Sequence, residues 1–443
     1  MSSTIDRVEL KRTLQHARQG GHLRTQDTAA IFYSLSLLQQ RLGLMRSAFP
    51  ASTLHAVAVK ANPLPSVLKK VAVWGYGAEV ASMPELRIAL ESGFPVERIV
   101  FDSPAKTNEE IQASLALGVH INIDNFQELA RFEAALASTQ DPSTDRHIGI
   151  RINPEVGAGT IASTSVASTD SKFGVPFEAH QDELYEAYLR CPWLNGVHLH
   201  VGSQGCAPEL LLRGVEKVFA FVEEVNRRAG RQQITSVDVG GGLPVAYAPS
   251  QDVMSMQTYV SMLTERCPRL FDGSYRLLTE FGRYVHANTA WAYSQVEYVK
   301  PGKEADTIII HLGADMFLRE SYHRDDWHHE MEVIPATELL EDTHEDVDSS
   351  SSVGLYHVAG PLCFSGDYIA KSRTLRRPEP GDAFIICDAG AYTLSMWSRY
   401  NSRCMPVVLG YTSDEDGVTF EVLRRRETWE DVVSFWALGY DQL

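Results

Sequence analysis

From about residue 30 to 285 the chain repeats one pattern, a short apolar run followed by an amphipathic stretch of helical period. "LHAVAVKA" precedes "PSVLKKVAVWG", "AEVAS" precedes "MPELRIALESG", "RIVFDSP" precedes "TNEEIQASLALG", and "HINID" precedes "NFQELARFEAALAS". "HIGIRINP", "GVHLHVGS" and "SVDVGGGLP" continue the series. Apolar runs without polar alternation read as strands covered on both faces, the signature of a parallel sheet. A series this long, with helices between the strands, predicts an α/β fold built on a parallel (β/α)8 TIM barrel over 30–285.

Beyond residue 286 the texture changes. "TAWAYSQVEYVKPG", "ADTIIIHLG", "DAFIICDAG" and "GVTFEVLRRRET" are strands, longer and more polar on alternate positions. They predict a second, mainly antiparallel β domain over 286–443, with residues 1–29 packing on it. Within it "ELLEDTHEDVDSSSSVG", 338–354, is acidic, serine-rich and aperiodic, which predicts a mobile surface loop. A chain of 443 residues is long enough for two cores.

A formal net charge of −17 argues against nucleic acid or an anionic membrane as partner. The opening "MSSTIDRVELKRTLQHARQGG" is polar where a signal peptide needs an apolar centre, and no run is long enough to span a bilayer, so a cytoplasmic location is expected. The six cysteines are scattered with no CxxC pair, which suggests neither a disulfide framework nor a zinc site.

Several motifs stand at the ends of predicted strands, where a barrel carries its chemistry. In "HAVAVKANP" a buried strand ends in Lys60, an amine that either snorkels to water or has a chemical task. In "GVHLHVGSQ" His198 and His200 share one side of a strand, as a metal pair lacking a third ligand or as a ring set against a cofactor. In "VDVGGGLP" Gly240, Gly241 and Gly242 form either a flexible turn or an anion cradle of backbone N–H groups. "TEFGRYVHA" offers Glu280 with Gly282 and Arg283, a plain ion pair or part of a site. The β domain adds Cys363 and Asp367 in "GPLCFSGDYIA" and Tyr392 in "DAGAYTLSM".

Taken in this order, the motifs resemble the fold-type III pyridoxal-phosphate decarboxylases, the group that contains diaminopimelate and ornithine decarboxylases. The resemblance runs from about residue 30 to "RRRETWEDVV". It implies an alanine-racemase-like barrel with a β domain, pyridoxal 5′-phosphate as cofactor, an amino acid as substrate, and a homodimer with shared active sites. By resemblance Lys60 is the Schiff-base lysine and His200 stacks on the pyridine ring. Ser203, the Gly240–Gly242 run, Gly282, Arg283 and Tyr392 contact phosphate and the substrate carboxylate, and Glu280 faces the ring nitrogen. Cys363, as proton donor, and Asp367, as a substrate contact, are expected to enter from a partner subunit. No metal is implied.

The sequence departs from the family's pattern at four places. Where both decarboxylases carry an acid after the cysteine, to hold the distal amine, this chain has Phe364. "LTEFGRY" has phenylalanine in place of proline, and "GAEVAS" has Glu79 in place of aspartate. "FLRESYH" supplies Arg319 and Tyr322, similar to a carboxylate-gripping pair but one residue closer together. A distal pocket with arginine and tyrosine but no acid leads to the expectation of an anionic or acylated tail, such as a siderophore precursor of the citryl-diaminopropionate kind. The alternative is diaminopimelate decarboxylation in lysine biosynthesis. Two readings of other classes, an amino-acid racemase and an inactive regulatory homologue, sit poorly with Glu280 and with the complete set of cofactor motifs.

Overall fold

The structure is a computed structural model and describes residues 5–138, 147–340, 352–415 and 417–438. The chain divides into two compact units, one of residues 40–245 and 252–285, the other of 1–39, 246–251 and 286–443.

The first unit is built on eight parallel strands that close into a barrel. They are Leu54–Ala58, Gly77–Val80, Ile99–Asp102, His120–Ile123, Ile148–Asn153, Leu194–His198, Ser236–Asp238 and Arg276–Thr279, and the last pairs with the first. A short ninth strand, Val175–Pro176, lies beside Ile148–Asn153. The first four strands are buried along their whole length, as runs without polar alternation require. Intervening helices turn apolar stripes inward. On Pro208–Ala229 the buried residues Leu211, Val215, Val218, Val222 and Val225 recur at helical spacing. Side chains with chemical potential stand at the C-terminal rim: Lys60 just beyond the first strand, then Asp102, His198, Asp238 and Glu280 at the ends of four others.

The second unit centres on a nine-stranded sheet, mostly antiparallel, with parallel pairs between Ala29–Ser34 and Val407–Asp414 and between Asp306–Ile310 and Val353–Ala359. Helix Arg7–Gln19 lays Leu10, Leu14 and Ala17 into a core with Phe32, Trp291, Tyr293, Leu409 and Tyr411. Phe32 stacks on Trp291 with ring centroids 4.2 Å apart.

Two sequence expectations need amendment. "AAIFYS" was expected inside the barrel that begins at residue 30, yet Ala29–Ser34 pairs with Ala290–Lys300 and Val407–Asp414 in the second unit. A continuous apolar run looks the same in either setting, and only its pairing partners decide. The loop expected at 338–354 begins with a short turn, Thr337–Leu339, whose Glu338 is buried and pairs with Arg7 and Arg376, and it ends in the strand that starts at Val353. The centre of that segment, 341–351, lies outside the described residues. Among the described residues no helix is long and apolar enough to cross a membrane.

Candidate active site

Lys60 does not sit on the strand itself. The strand stops at Ala58, and a single 3-10 turn, Val59–Ala61, carries the lysine over the rim. Its ammonium donates to both oxygens of Glu79, at 2.7 and 2.6 Å. Glu79 has no exposed side-chain surface, whereas Lys60 keeps 41% of its own. Burial pushes the Glu79 carboxyl up to about 7 against the pull of Lys60. The turn fits only because Gly282 lacks a side chain: a Cβ there would stand 2.8 Å from that of Ala61 and 2.9 Å from that of Ala58.

Opposite lies a buried chain of charged groups. His198, the last residue of its strand, is fully buried, with Nε2 3.2 Å from Glu280 Oε2 and Nδ1 3.7 Å from Asp102 Oδ1. Asp102 Oδ2 accepts from Arg151 at 3.0 Å. Burial raises the Asp102 carboxyl, but Arg151, then His198 and Lys106, outweigh it and hold the group well below its usual value. Glu280 behaves alike: burial opposes its charge, His198 prevails, and the net shift is downward. Asp238 shifts the other way, driven up by burial and by the nearby Glu280.

His200 belongs to the loop after its strand and not to the strand, so it no longer shares a strand face with His198. Its Nδ1 accepts from the Gly241 backbone at 3.2 Å, and burial, helped by Arg151, lowers its pKa to about 3, which keeps the ring neutral. The Gly240–Gly242 turn packs tightly: a Cβ on Gly242, which has φ +102°, would lie 2.1 Å from the Gly202 carbonyl. Arg283, buried, donates from Nε to Ser203 Oγ at 3.1 Å.

The other predicted residues belong to the second unit. The Arg319 guanidinium lies between two rings, 4.6 Å from the centroid of Tyr392 and 4.7 Å from that of Trp327. Tyr392 has φ +58°, a left-handed conformation uncommon outside glycine. Tyr322 is exposed and stacks on Phe364 with centroids 5.8 Å apart, and Tyr400 meets the same ring edge-on at 6.2 Å. Cys363 is exposed, its loop tied by its own N–H to Asn401 Oδ1 at 2.7 Å and by its carbonyl, which accepts from the Tyr400 hydroxyl at 3.0 Å.

Asp367 is buried, and its two oxygens accept from the backbone N–H groups of Ala314 and Leu362 at 2.7 and 2.6 Å. Both oxygens brace the cysteine loop, a structural task beyond the substrate contact expected from the sequence.

Residues 35–287 match the family described as "Pyridoxal-dependent decarboxylase, pyridoxal binding domain". The chain belongs to this family. It is 30% identical to the diaminopimelate decarboxylase of Zymomonas mobilis over 417 residues, which covers 92% of each protein. The crystal structure of diaminopimelate decarboxylase from Helicobacter pylori complexed with L-lysine superposes with a TM-score of 0.82 at 29% identity, covering 96% of this chain and all of that one. A lysine/ornithine decarboxylase of Vibrio vulnificus, 20% identical with a TM-score of 0.72, shares the fold. This decarboxylase is thus a pyridoxal-phosphate-dependent carboxy-lyase. Its residues suit that cofactor. Glu280 Oε1 is buried without a hydrogen-bond partner among the described residues, an acceptor of the kind a protonated ring nitrogen needs, and the glycine turn leaves no room for side chains.

Sequence reading passed over Asp102, Arg151 and Asp238. Each is a lone charged residue in or at the end of an apolar barrel strand, in "RIVFDSP", "HIGIRINP" and "SVDVGGGLP". Charges at such positions are costly unless paired, and that was the available signal.

Proposed function

We propose that this decarboxylase acts on meso-diaminopimelate, and the observation that carries the reading is its full-length similarity to proteins named for that reaction. Lys60 would hold the cofactor, with Glu280 at the ring nitrogen and His200 at the ring face. Ser203, Gly240, Gly241, Gly242, Gly282 and Arg283, with Tyr392, would bind phosphate and the substrate carboxylate. Pyridoxal phosphate supplies an electron sink when CO₂ departs. A thiol then suits delivery of a proton to the reacting carbon, the task proposed for Cys363 of the partner subunit. Support for a dimer comes from the exposure of Cys363 together with Tyr322, Tyr400, Phe435 and Trp436, an apolar set that a monomer gains nothing by showing to water. Phe364 cannot pair with a distal ammonium as an acid does. The rings of Phe364, Tyr322 and Tyr400 nevertheless offer aromatic faces to a cation, worth about 0.5–2 kcal/mol.

A second reading is favoured by that same Phe364: a substrate with an acylated or anionic tail, such as citryl-diaminopropionate, gripped by Arg319. The two separate by mass spectrometry of products from protein loaded with pyridoxal phosphate. Conversion of meso-diaminopimelate to lysine, with the acylated substrate untouched, is the expected result. Silence on diaminopimelate with turnover of the acylated amino acid replaces the first reading with the second.

A further inference from the structure

The paired histidines of "GVHLHVGSQ" end in different settings, and the roles assigned above use only His200. His198 has no exposed surface and lies between two carboxylates, Glu280 at 3.2 Å and Asp102 at 3.7 Å, with Arg151 closing the chain on the far side of Asp102. Such an arrangement is costly to bury unless the charges serve each other. Its asymmetry is informative. Glu280 Oε2 lies 3.2 Å from His198 Nε2 as an ion-pair contact whose angles fall short of a hydrogen bond, while Oε1 is buried and has no hydrogen-bond partner among the described residues.

We propose that His198 is a positioning residue for the cofactor's ring nitrogen: it fixes the Glu280 carboxylate through one oxygen so that the other meets the nitrogen as an anion. The inference rests on the reading that Glu280 faces that nitrogen, and deepens it. Without His198, burial is left to push the Glu280 carboxyl upward, as it pushes Asp238 beside it, and a protonated acid is a poor acceptor for a pyridinium. Asp102 and Arg151 act one step further out. Arg151 donates to Asp102 and favours its anionic form, and Asp102 Oδ1 lies 3.7 Å from the imidazole Nδ1, an electrostatic neighbour without a hydrogen bond. The electron sink depends on a protonated ring, so the chain of four side chains ends where its charge matters.

The test compares binding of pyridoxal phosphate with that of its 1-deaza analogue, in which CH replaces the ring nitrogen. Dissociation constants are measured by fluorescence titration of the apoprotein for the parent, His198→Ala and Glu280→Gln. In the parent the natural cofactor binds more tightly than the analogue. His198→Ala is expected to weaken pyridoxal phosphate by about 10- to 100-fold, the range for a lost charged hydrogen bond, and to leave the analogue within about twofold. Equal weakening of both ligands, or of neither, overturns the proposal, since a purely structural role makes no distinction at the nitrogen. If Glu280→Gln also fails to discriminate, the Glu280 reading itself is at fault; if it discriminates while His198→Ala does not, only the present inference fails. Should His198→Ala not fold, His198→Leu, which keeps bulk at the site and removes the donor, is held to the same comparison. Loss of cofactor affinity on metal chelation would also overturn it, because Asp102, His198 and Glu280 would then be cation ligands.

Discussion

The barrel rim and the cysteine loop solve opposite problems. At the rim, Glu79, Asp102, His198, Asp238 and Glu280 are almost wholly buried, with Lys60 against Glu79, Arg151 against Asp102 and His198 against Glu280 at 2.6–3.2 Å. In the loop, Cys363 is exposed, and its neighbour Phe364 lies against the rings of Tyr322 and Tyr400. The first arrangement suits a cofactor whose electronics must not vary. The second suits contact with something outside the unit, a substrate tail or another subunit. Departures from the family's pattern fall in both parts, Glu79 at the buried rim and Phe364 in the accessible loop.

If that contrast holds, substitutions in the two regions differ in kind. Cys363→Ala should lower turnover by about 10²- to 10⁴-fold, the usual range for a lost proton donor, while cofactor affinity stays at the parent value. Steady-state rates beside a cofactor titration check this, and a fall in affinity erases the separation. Phe364→Glu should raise kcat/KM for meso-diaminopimelate about tenfold or more over an acylated competitor, because a carboxylate pairs with the distal ammonium more strongly than a ring does. An unchanged ratio means the aromatic cluster does not touch the tail.

Smaller effects sharpen the boundary. Asp367→Ala strands two buried N–H groups, so thermal or urea unfolding should show a loss of about 1–3 kcal/mol per group at most, with turnover falling as the cysteine loop loosens. Glu79 gives a signature in pH. Its folded pKa, raised to about 7, exceeds the ordinary 4.5, so in this window the native state binds more protons than the unfolded one, and stability falls as pH rises. Glu79→Gln lacks that loss. The variant's melting temperature relative to the parent apoprotein should therefore climb between about pH 5 and pH 7, and a flat difference contradicts the burial of a charged Glu79.

The same contrast governs what could be read in advance. Lys60, Glu280 and the Gly240–Gly242 run were legible because each ends an apolar strand in a repeating βα series, a place where a barrel offers few other uses for such residues. Asp102, Arg151 and Asp238 stand in equally apolar strands, yet nothing local announces their partners, since 49 positions separate Asp102 from Arg151. The backbone bracing by Asp367 could not be read in advance, because a carboxylate in a glycine-rich loop looks the same whether it faces substrate or backbone. The strand Ala29–Ser34 was assigned to the wrong sheet because burial on both faces erases the alternation that tells one sheet from another.

The most direct test is where the cofactor attaches. Protein loaded with pyridoxal phosphate is treated with borohydride, digested and mapped by mass spectrometry. A pyridoxyl label on the peptide containing Lys60, absent from Lys60→Ala together with all turnover, is the predicted result. A label on another lysine, such as the buried Lys106, or turnover that survives in Lys60→Ala, would contradict the assignment of this rim as the catalytic centre.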